Sequence, residues 1–156
     1  MLILLDIDGV LVPAKSWQAP QIMQDGFPAF SNNAVLVLNQ LFTGNETIIL
    51  TSSHKAHYSI REWKEIFKQR GLTVSHLSSL PENKDNLSRK DEILNWYRSK
   101  KVNDIFLIID DDKSLHDLPP PLKEKWLETS SQVGLTPLHL GKMESILSLQ
   151  SHADHS

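Results

Sequence analysis

The sequence predicts one α/β domain with three layers, in which a mostly parallel sheet is covered by helices on both faces. Two observations predict this fold. Short continuous apolar runs, which are typical of strands buried on both faces, alternate with stretches of apolar residues at helical spacing. Such alternation favours right-handed crossovers between parallel strands. At 156 residues, without internal repeats or a long linker, the chain fits one domain over residues 1–150 and a short flexible tail, 151–156.

The predicted elements follow one another in regular order. Apolar runs predict strands over residues 2–5, 47–50, 72–74, 105–109 and 136–140. Helices are predicted over four stretches: residues 34–41, a stretch capped by Ser59, a stretch capped by Ser88, and residues 142–149. Gly44 and Gly71 mark the ends of the first two helices.

Composition and charge exclude several classes of protein. With 40% hydrophobic and 22% charged residues, the chain has the composition of a soluble globular protein. The net charge of −3 gives no general attraction to nucleic acid or to an anionic membrane. Cysteine is absent, which excludes disulfides and thiolate chemistry. No apolar run is long enough to span a membrane, and Asp6 and Asp8 interrupt the apolar start, so we expect a cytoplasmic protein without a signal peptide.

Polar side chains follow three of the predicted strands. Asp6 and Asp8 come after the first strand, residues 51–55 (TSSHK) after the second, and residues 110–112 (DDD) after the fourth. Because ligands of an open parallel sheet bind outside the carboxyl ends of its strands, we expect these groups to meet at one edge. Residues i and i+2 of an extended chain share a face. Asp6 and Asp8 are therefore predicted to face one site while Ile7 faces the core.

A cluster of carboxylates requires a compensating cation, since buried like charges repel one another and lose hydration. Asp6, Asp8 and Asp110 offer only oxygen ligands, which favour a hard ion, and a site with few protein ligands suits Mg²⁺. Mg²⁺ held by carboxylates, together with a hydroxyl and a lysine, is the set of groups that phosphoryl transfer needs. One carboxylate can then act as the nucleophile and form an aspartyl-phosphate.

Four segments of the chain together match a known pattern. They are LILLDIDGVL with its DxD, IILTSS with a hydroxyl residue after a strand, SRKDEIL with a basic residue at a helix start, and FLIIDDD with acids after a strand. In this order they resemble the haloacid dehalogenase (HAD) superfamily of phosphotransferases, over nearly the whole chain. The resemblance implies a Rossmann-like, HAD-like sheet flanked by helices.

The resemblance also implies roles for the acids. Asp6 would be the nucleophile and a Mg²⁺ ligand. Asp8 would protonate the leaving oxygen and then activate water, and its main-chain carbonyl would also bind Mg²⁺. Asp110 would complete the Mg²⁺ shell, with Asp111 ligating through water or orienting that shell. Superfamily members that displace halide typically lack an acid at the place of Asp8, whereas an alkoxide leaving group needs a proton, so Asp8 favours a phosphatase over a dehalogenase.

The remaining implied roles fall on hydroxyl and basic residues. Thr51 would hydrogen-bond the transferring phosphoryl oxygens, with Ser52 beside it as a second substrate-binding hydroxyl. Lys90 would offset the negative charge around the nucleophile and bind substrate. Arg89 lies at the same predicted helix start and is the alternative to Lys90.

Neither gap between the motifs is long enough for the independently folded cap domain that many superfamily members carry. Residues 9–46 must hold a loop and a helix, and residues 54–89 must hold a helix, a strand and a loop. The site is therefore expected to be open, as in members that act on macromolecular ends or on phosphoproteins. A small flap over the site is predicted over residues 12–30, a segment that contains the aromatic residues Trp17, Phe27 and Phe30.

A narrower resemblance concerns the substrate. DIDGVL, LTSSHK, IIDDD and a late VGLT are similar to a small capless branch whose relatives are associated with RNA-repair enzymes. This implies polynucleotide ends as substrate, although the acidic charge balance provides no basic stripe for nucleic acid. The residues themselves leave the phosphorylated substrate open between a small molecule, a polynucleotide end and a phosphoprotein. They do not predict the oligomeric state.

Three functions stay open on the sequence. A Mg²⁺-dependent phosphatase acting on a phosphomonoester is the preferred interpretation. A phosphoacceptor receiver module has a similar inventory of Asp, Thr and Lys, but its acceptor Asp follows a central strand and its Lys comes last, whereas here the acids flank the Thr and the Lys. A catalytically idle interaction module on the same fold would have no reason to keep a cluster of like charges that costs stability.

Overall fold

The structure, a computed structural model, describes residues 1–14, 19–100 and 104–153. Its centre is a sheet of five parallel strands in the order β3-β2-β1-β4-β5. The strands are β1 (Leu2–Leu5), β2 (Thr47–Leu50), β3 (His76–Ser79), β4 (Phe106–Asp110) and β5 (Trp126–Glu128). The predicted three-layer α/β fold with a parallel sheet is confirmed.

Helices cover both faces of the sheet. They are α1 (Asn32–Leu41), α2 (Ile60–Gln69), α3 (Arg89–Lys100), the short α4 (Pro120–Lys123) and α5 (Leu140–Ala153). Side chains of β1 alternate between the two faces, as an extended strand requires. Ile3 and Leu5 pack in one core layer with residues of α1, α2 and α5, whereas Leu4 packs in the other layer with residues of α3 and α4.

Two of the predicted strands are wrong. The strand expected at residues 72–74 is instead β3, a few positions later; Leu72 and Val74 are buried as loop residues, so their apolar character reflects core packing without a strand. The last strand is β5, and residues 136–140 instead contain a 3₁₀ turn, Pro137–His139, and the start of α5. Proline at the first position of that turn favours helical backbone.

The two predicted helix caps, Ser59 and Ser88, are confirmed, whereas α1 and α5 each begin two residues earlier than predicted. Ser59 Oγ accepts a hydrogen bond from the N–H of Glu62 at 3.1 Å, and the Glu62 side chain accepts one from the N–H of Ser59 in return. Ser88 Oγ accepts one from the N–H of Asp91 at 3.1 Å. The last helix is longer than predicted, since α5 continues to Ala153, into the segment expected to be a tail.

The segment that precedes α1 packs on the body of the domain. Of the three aromatic residues expected to form a flap, Trp17 lies outside the described residues, whereas Phe27 and Phe30 are buried in the core. Arg70, at the end of α2, binds Asp25 of this segment with two hydrogen bonds of 2.6 and 2.9 Å. The described part of the segment is therefore a wall of the domain, and the prediction that Phe27 and Phe30 cover the site is wrong.

The described residues between the motifs hold no independently folded cap. Between β1 and β2 they form loops and α1, and between β2 and α3 they form a 3₁₀ turn, α2, β3 and loops. The described residues of these two segments thus contribute loops, not a cap domain, at the carboxyl edge of the sheet.

Candidate active site

The candidate site lies where the strand order of the sheet reverses. From the neighbours β1 and β4, the sheet continues through β2 to β3 on one side and to β5 on the other. Asp6 directly follows β1, and Asp110 is the last residue of β4. The N–H of Asp6 donates to the carbonyl of Ile109 at 3.0 Å, which places the two acids side by side. Open α/β sheets bind their ligands at this position.

Three acids meet there and are called the carboxylate cluster: Asp6, Asp110 and Asp111. Each offers one oxygen, and these oxygens lie within 4.8 Å of one another. Asp110 is completely buried and Asp6 nearly so. Oδ1 of Asp110 accepts a hydrogen bond from the N–H of Asp112 at 3.0 Å, which fixes the orientation of this carboxylate. The structure thus brings together three of the four acids that the sequence assigned to Mg²⁺.

The cation at the cluster is Arg89, in the first turn of α3. Its Nη1 lies 2.5 Å from Oδ2 of Asp110 and 3.4 Å from Oδ1 of Asp6. Lys90 was preferred for this place on the sequence, but successive helical residues point about 100° apart, so only one of the two can face the cluster. The backbone N–H of Lys90 donates to Ser114. The geometry therefore selects Arg89.

The charges of the cluster do not balance. Burial raises the pKa of Asp6 well above its ordinary value of 3.8, and the neighbouring Asp110 carboxylate raises it further, while Arg89 acts in the opposite direction. Burial likewise raises the pKa of Asp110, again against the effect of Arg89. Burial alone would lower the pKa of Arg89, but the carboxylates of Asp110 and Asp6 outweigh it and raise that pKa. A further cation would relieve this excess of negative charge.

The residues present fit a hard divalent cation. The donor atoms of the carboxylate cluster are all oxygens, and few protein ligands leave positions for water and a substrate phosphate, as Mg²⁺ prefers. The backbone makes room for one of these ligands at Gly9, whose φ is +79°. A Cβ atom at Gly9 would collide with Oδ2 of Asp111. Glycine is therefore needed here both for the turn and for the position of a candidate ligand.

The two predicted hydroxyl residues follow β2 and are completely buried. Thr51 Oγ1 donates to Oδ2 of Asp110 and accepts from Nη1 of Arg89, both at 3.2 Å. Ser52 Oγ instead accepts from the backbone N–H of His54 at 3.1 Å and so shapes the loop after β2. The hydroxyl of Thr51 is therefore a member of the site, whereas that of Ser52 supports the loop.

Asp8 does not join the carboxylate cluster. Its side chain is 55% exposed, and its Oδ2 lies 2.6 Å from Nε2 of His54. The expectation that Asp6 and Asp8 face one site applies to extended backbone only. The chain turns sharply after β1, where the carbonyl of Ile7 accepts a hydrogen bond from the N–H of Leu11 at 2.8 Å. Ile7 itself is fully buried, as predicted.

Other contacts that support the site were not predicted from the sequence. Thr129, buried after β5, donates its hydroxyl to the carbonyl of Gly9 at 2.7 Å and pins the turn after β1. Lys55 and Glu92 form a buried ion pair of 3.0 Å, and Glu92 Oε1 lies 3.8 Å from Nε of Arg89. The contact of Thr129 spans 120 positions of the chain and leaves no local pattern. The i,i+3 spacing of Arg89 and Glu92, by contrast, is a local signal that could have indicated their contact.

A polar cleft of about 560 Å³ opens beside the carboxylate cluster. The loop after β2 and the loop before α3 form its walls, and Arg89 lies on its lining. Other side chains that line it are mainly polar: Ser53, Lys55, His57, Asn83, Ser88 and Glu92. Its volume is in the range of small-ligand sites, so it offers space for the group that carries a phosphate.

Comparison with known protein families matches residues 2–140 to the HAD domain in Swiss Army Knife RNA repair proteins. The match contains all four motifs and the carboxylate cluster. The chain belongs to this family. The resemblance to the HAD superfamily, and to its branch associated with RNA repair, is thereby confirmed.

Two solved structures are similar in fold. A hypothetical protein of Xanthomonas campestris has a TM-score of 0.49 and 17% identity, over 99% of this chain and 85% of that chain. A candidate 3-deoxy-D-manno-octulosonate 8-phosphate phosphatase of Vibrio cholerae has a TM-score of 0.40 and 13% identity, over 99% and 84%. These similarities carry no argument about function. No curated protein matches the chain. Among the described residues, no helix is both long and apolar enough to cross a membrane.

Proposed function

We propose that the protein is a Mg²⁺-dependent phosphatase that hydrolyses a phosphomonoester through an aspartyl-phosphate on Asp6. The observation that carries this proposal is the buried carboxylate cluster facing Arg89 at the point where the strand order reverses. Membership of the HAD family supports it, because the four motifs stand in the order that phosphotransferases of the superfamily show.

Each residue has a chemical task in this proposal. A carboxylate oxygen of Asp6 attacks phosphorus, and the bond from phosphorus to the leaving oxygen breaks. Arg89 and the Thr51 hydroxyl stabilise negative charge on the transferring phosphoryl oxygens. Asp8 gives a proton to the leaving oxygen and then takes one from the water that hydrolyses the aspartyl-phosphate. Mg²⁺, bound by the carboxylate cluster, would neutralise phosphate charge.

The proposed substrate is the phosphorylated end of a polynucleotide. The family association and the open carboxyl edge of the sheet both support a large substrate. The polar cleft would take the terminal nucleotide, since its hydroxyl, amide and imidazole groups can hydrogen-bond a ribose and the edges of a base. Substrate binding by Ser52 and by Lys90 stays a prediction. A small phosphorylated molecule and a phosphoprotein are the alternatives for the test.

The first experiment is hydrolysis of 4-nitrophenyl phosphate by the purified protein, with Mg²⁺ and with EDTA. We expect turnover that needs Mg²⁺, is lost in Asp6→Asn and is kept in the control Asp117→Asn, which changes an exposed acid outside the site. Full turnover in EDTA would contradict the metal requirement. Full turnover in Asp6→Asn would contradict the covalent mechanism.

The second experiment compares substrates by kcat/KM. Oligonucleotides with a 3′- or a 5′-phosphate are compared with the matching mononucleotide, a sugar phosphate and a phosphopeptide. The proposal expects one of the two oligonucleotide ends to be the best substrate. A higher kcat/KM for the mononucleotide, the sugar phosphate or the phosphopeptide would replace the polynucleotide end by that class.

A further inference from the structure

We propose that His54 positions Asp8, the acid of the proposed phosphatase, and thereby determines how well the enzyme expels poor leaving groups. The proposal rests on the proposed function. His54 Nε2 lies 2.6 Å from Oδ2 of Asp8, within hydrogen-bond distance. Among the described residues, this is the one hydrogen bond that the structure gives to the Asp8 carboxylate.

His54 is held both through its backbone and through its ring. The backbone N–H of His54 donates to the buried Ser52 hydroxyl at 3.1 Å. Nδ1 of its ring lies 3.4 Å from Nδ1 of His57. The ring also meets Phe27 edge-on, with centroids 6.2 Å apart and planes at 88°. Phe27 is fixed in turn, since Arg70 donates a hydrogen bond of 2.9 Å to its carbonyl. An exposed carboxylate thus has a partner whose position the fold determines.

The contact divides the two oxygens of Asp8 between two tasks. In the tautomer of His54 that carries its proton on Nε2, Oδ2 of Asp8 accepts this hydrogen bond, which leaves Oδ1 to carry the proton of the acid. When the bond between phosphorus and the leaving oxygen breaks and the bond to Asp6 forms, the proton passes from Oδ1 to the leaving oxygen. Asp8 is then a carboxylate and keeps its hydrogen bond from His54. Without His54, an exposed Asp8 would rotate among several rotamers, and few of them would direct Oδ1 at the leaving group.

The place of His54 agrees with this task. His57, which touches His54, lines the polar cleft where the leaving group would lie. Asp8, His54 and His57 therefore form a row that leads from the turn after β1 to the cleft. The leaving oxygen departs on the side of the phosphate opposite the nucleophile, so the acid of a phosphatase has to stand on the side where the leaving group lies.

The test is the dependence of kcat/KM on the leaving group in His54→Phe, because kcat/KM reports only the steps through transfer of the phosphoryl group to Asp6, before Asp8 acts as a base on water. Phenylalanine keeps the ring packing against Phe27 and removes Nε2. We expect kcat/KM for phenyl phosphate to fall about 10- to 100-fold, and kcat/KM for 4-nitrophenyl phosphate to fall less than about 3-fold, since nitrophenolate departs without a proton. His54→Gln, whose amide can donate to Asp8, is expected to recover part of the loss. His76→Gln, at the opposite end of the sheet, is the control.

A double variant decides between positioning and a general structural effect. In the Asp8→Asn background, His54→Phe is expected to cause no further loss on phenyl phosphate, because the acid that it positions is already gone. Equal losses on both substrates, or losses that multiply in the double variant, would overturn the role of His54. Absence of turnover in the wild type with every substrate would refute the proposed function and this inference together. Thermal unfolding verifies that each variant is folded.

Discussion

Among the described residues, Arg70 is buried and Arg89 is largely shielded from solvent; both face acids, yet their surroundings differ. Arg70 meets one acid, Asp25, in a two-pronged pair, and its other N–H groups donate to backbone carbonyls at 2.7 to 3.0 Å. Arg89 meets the carboxylate cluster, in which Asp6 and Asp110 are both within ion-pair distance of the same Nη1. One guanidinium pairs with one acid in the first case and with two acids of the cluster in the second.

The difference separates a structural charge from a functional one. At Arg70, the hydrogen bonds from its guanidinium are the main cause that lowers the pKa of Asp25. At Arg89, burial raises the pKa of Asp6 and Asp110 in spite of the guanidinium. A balanced pair stabilises the fold by itself, whereas an unbalanced cluster costs stability and is typical of sites that bind a ligand.

The largest expected effects, on turnover and on stability, come from replacing the acid that pairs with each arginine by its amide. Asp6→Asn should lower kcat on 4-nitrophenyl phosphate by about 10⁴-fold or more, because it removes the proposed covalent nucleophile. In EDTA this substitution should not lower the free energy of unfolding, since it relieves repulsion between the carboxylates of the cluster.

Asp25→Asn should keep most of the turnover of 4-nitrophenyl phosphate and lower the free energy of unfolding by about 1–3 kcal/mol, because Arg70 loses its charged partner. Urea unfolding and steady-state kinetics measure both.

Equal losses of stability in Asp6→Asn and Asp25→Asn would contradict the distinction between a balanced ion pair at Arg70 and an unbalanced cluster at Arg89. If Asp6→Asn destabilised the apo-protein as much as Asp25→Asn does, the carboxylate cluster would be a balanced structural site, and the argument for a bound cation would lose its electrostatic basis.

Arg89 and its neighbour Lys90 allow a second test, within one helix turn. Arg89→Gln is expected to lower kcat about 10²- to 10³-fold, the range for loss of one donor to a developing negative charge. Lys90→Gln is expected to lower kcat less than about 3-fold, because the side chain of Lys90 points elsewhere around α3. Steady-state kinetics with 4-nitrophenyl phosphate suffice. A larger loss in Lys90→Gln than in Arg89→Gln would restore the assignment first made from the sequence.

Gly9 and Gly26 provide a matched pair of positions for testing the proposed Mg²⁺ site. Both have positive φ, +79° and +83°, so alanine strains the backbone by about 1–2 kcal/mol at each. Only at Gly9 would the new Cβ also collide with Asp111, while nothing lies within 4 Å at Gly26. Gly9→Ala should therefore raise the Mg²⁺ concentration for half-maximal activity by about 10- to 100-fold. Gly26→Ala should leave this Mg²⁺ concentration unchanged. An equal rise in the two variants would contradict a role for Asp111 in binding the ion.

The sequence predicted the parts of the fold that have local causes. β1, β2 and β4 are apolar runs that end in polar residues, and Ser59 and Ser88 are capping residues followed by acids. β5 was missed because it has only three residues and lies at the edge of the sheet, where no long apolar run is needed. The four motifs are also local patterns of the sequence, so their order along the chain was sufficient to recognise the family.

The sequence predicted which residues belong to the site more completely than it predicted how their side chains are arranged in space. The turn that separates Asp8 from Asp6 is stabilised from a distance, by Thr129 and by the hydrogen bond from the N–H of Leu135 to the carbonyl of Val10. No period or spacing in the sequence reports such contacts. The choice between adjacent basic residues on α3 likewise depends on the direction in which the helix meets the sheet, which only the packed structure shows.

The smallest expected effect is the pH dependence of stability in EDTA, which should have opposite signs at the two arginines. The pKa of Asp25 lies below its ordinary value of 3.8, so its stabilising contribution is present at neutral pH and is lost as the pH falls through 3.8 and below. The pKa of Asp6 lies above 3.8, so the native state holds that proton more tightly than the unfolded state. Stability from Asp6 is therefore present at low pH and is lost as the pH rises from 3.8 through the raised pKa.

The difference in free energy of unfolding between wild type and variant measures each contribution. The deficit of Asp25→Asn should shrink towards acid pH, whereas Asp6→Asn should gain on the wild type as the pH rises. Mg²⁺ should abolish that gain, because the ion binds the ionised carboxylate that the wild type keeps and the variant lacks. If both differences changed in the same direction with pH, the excess negative charge at Arg89 would be compensated within the protein. The carboxylate cluster would then need no ion, and the covalent mechanism would have to operate without one.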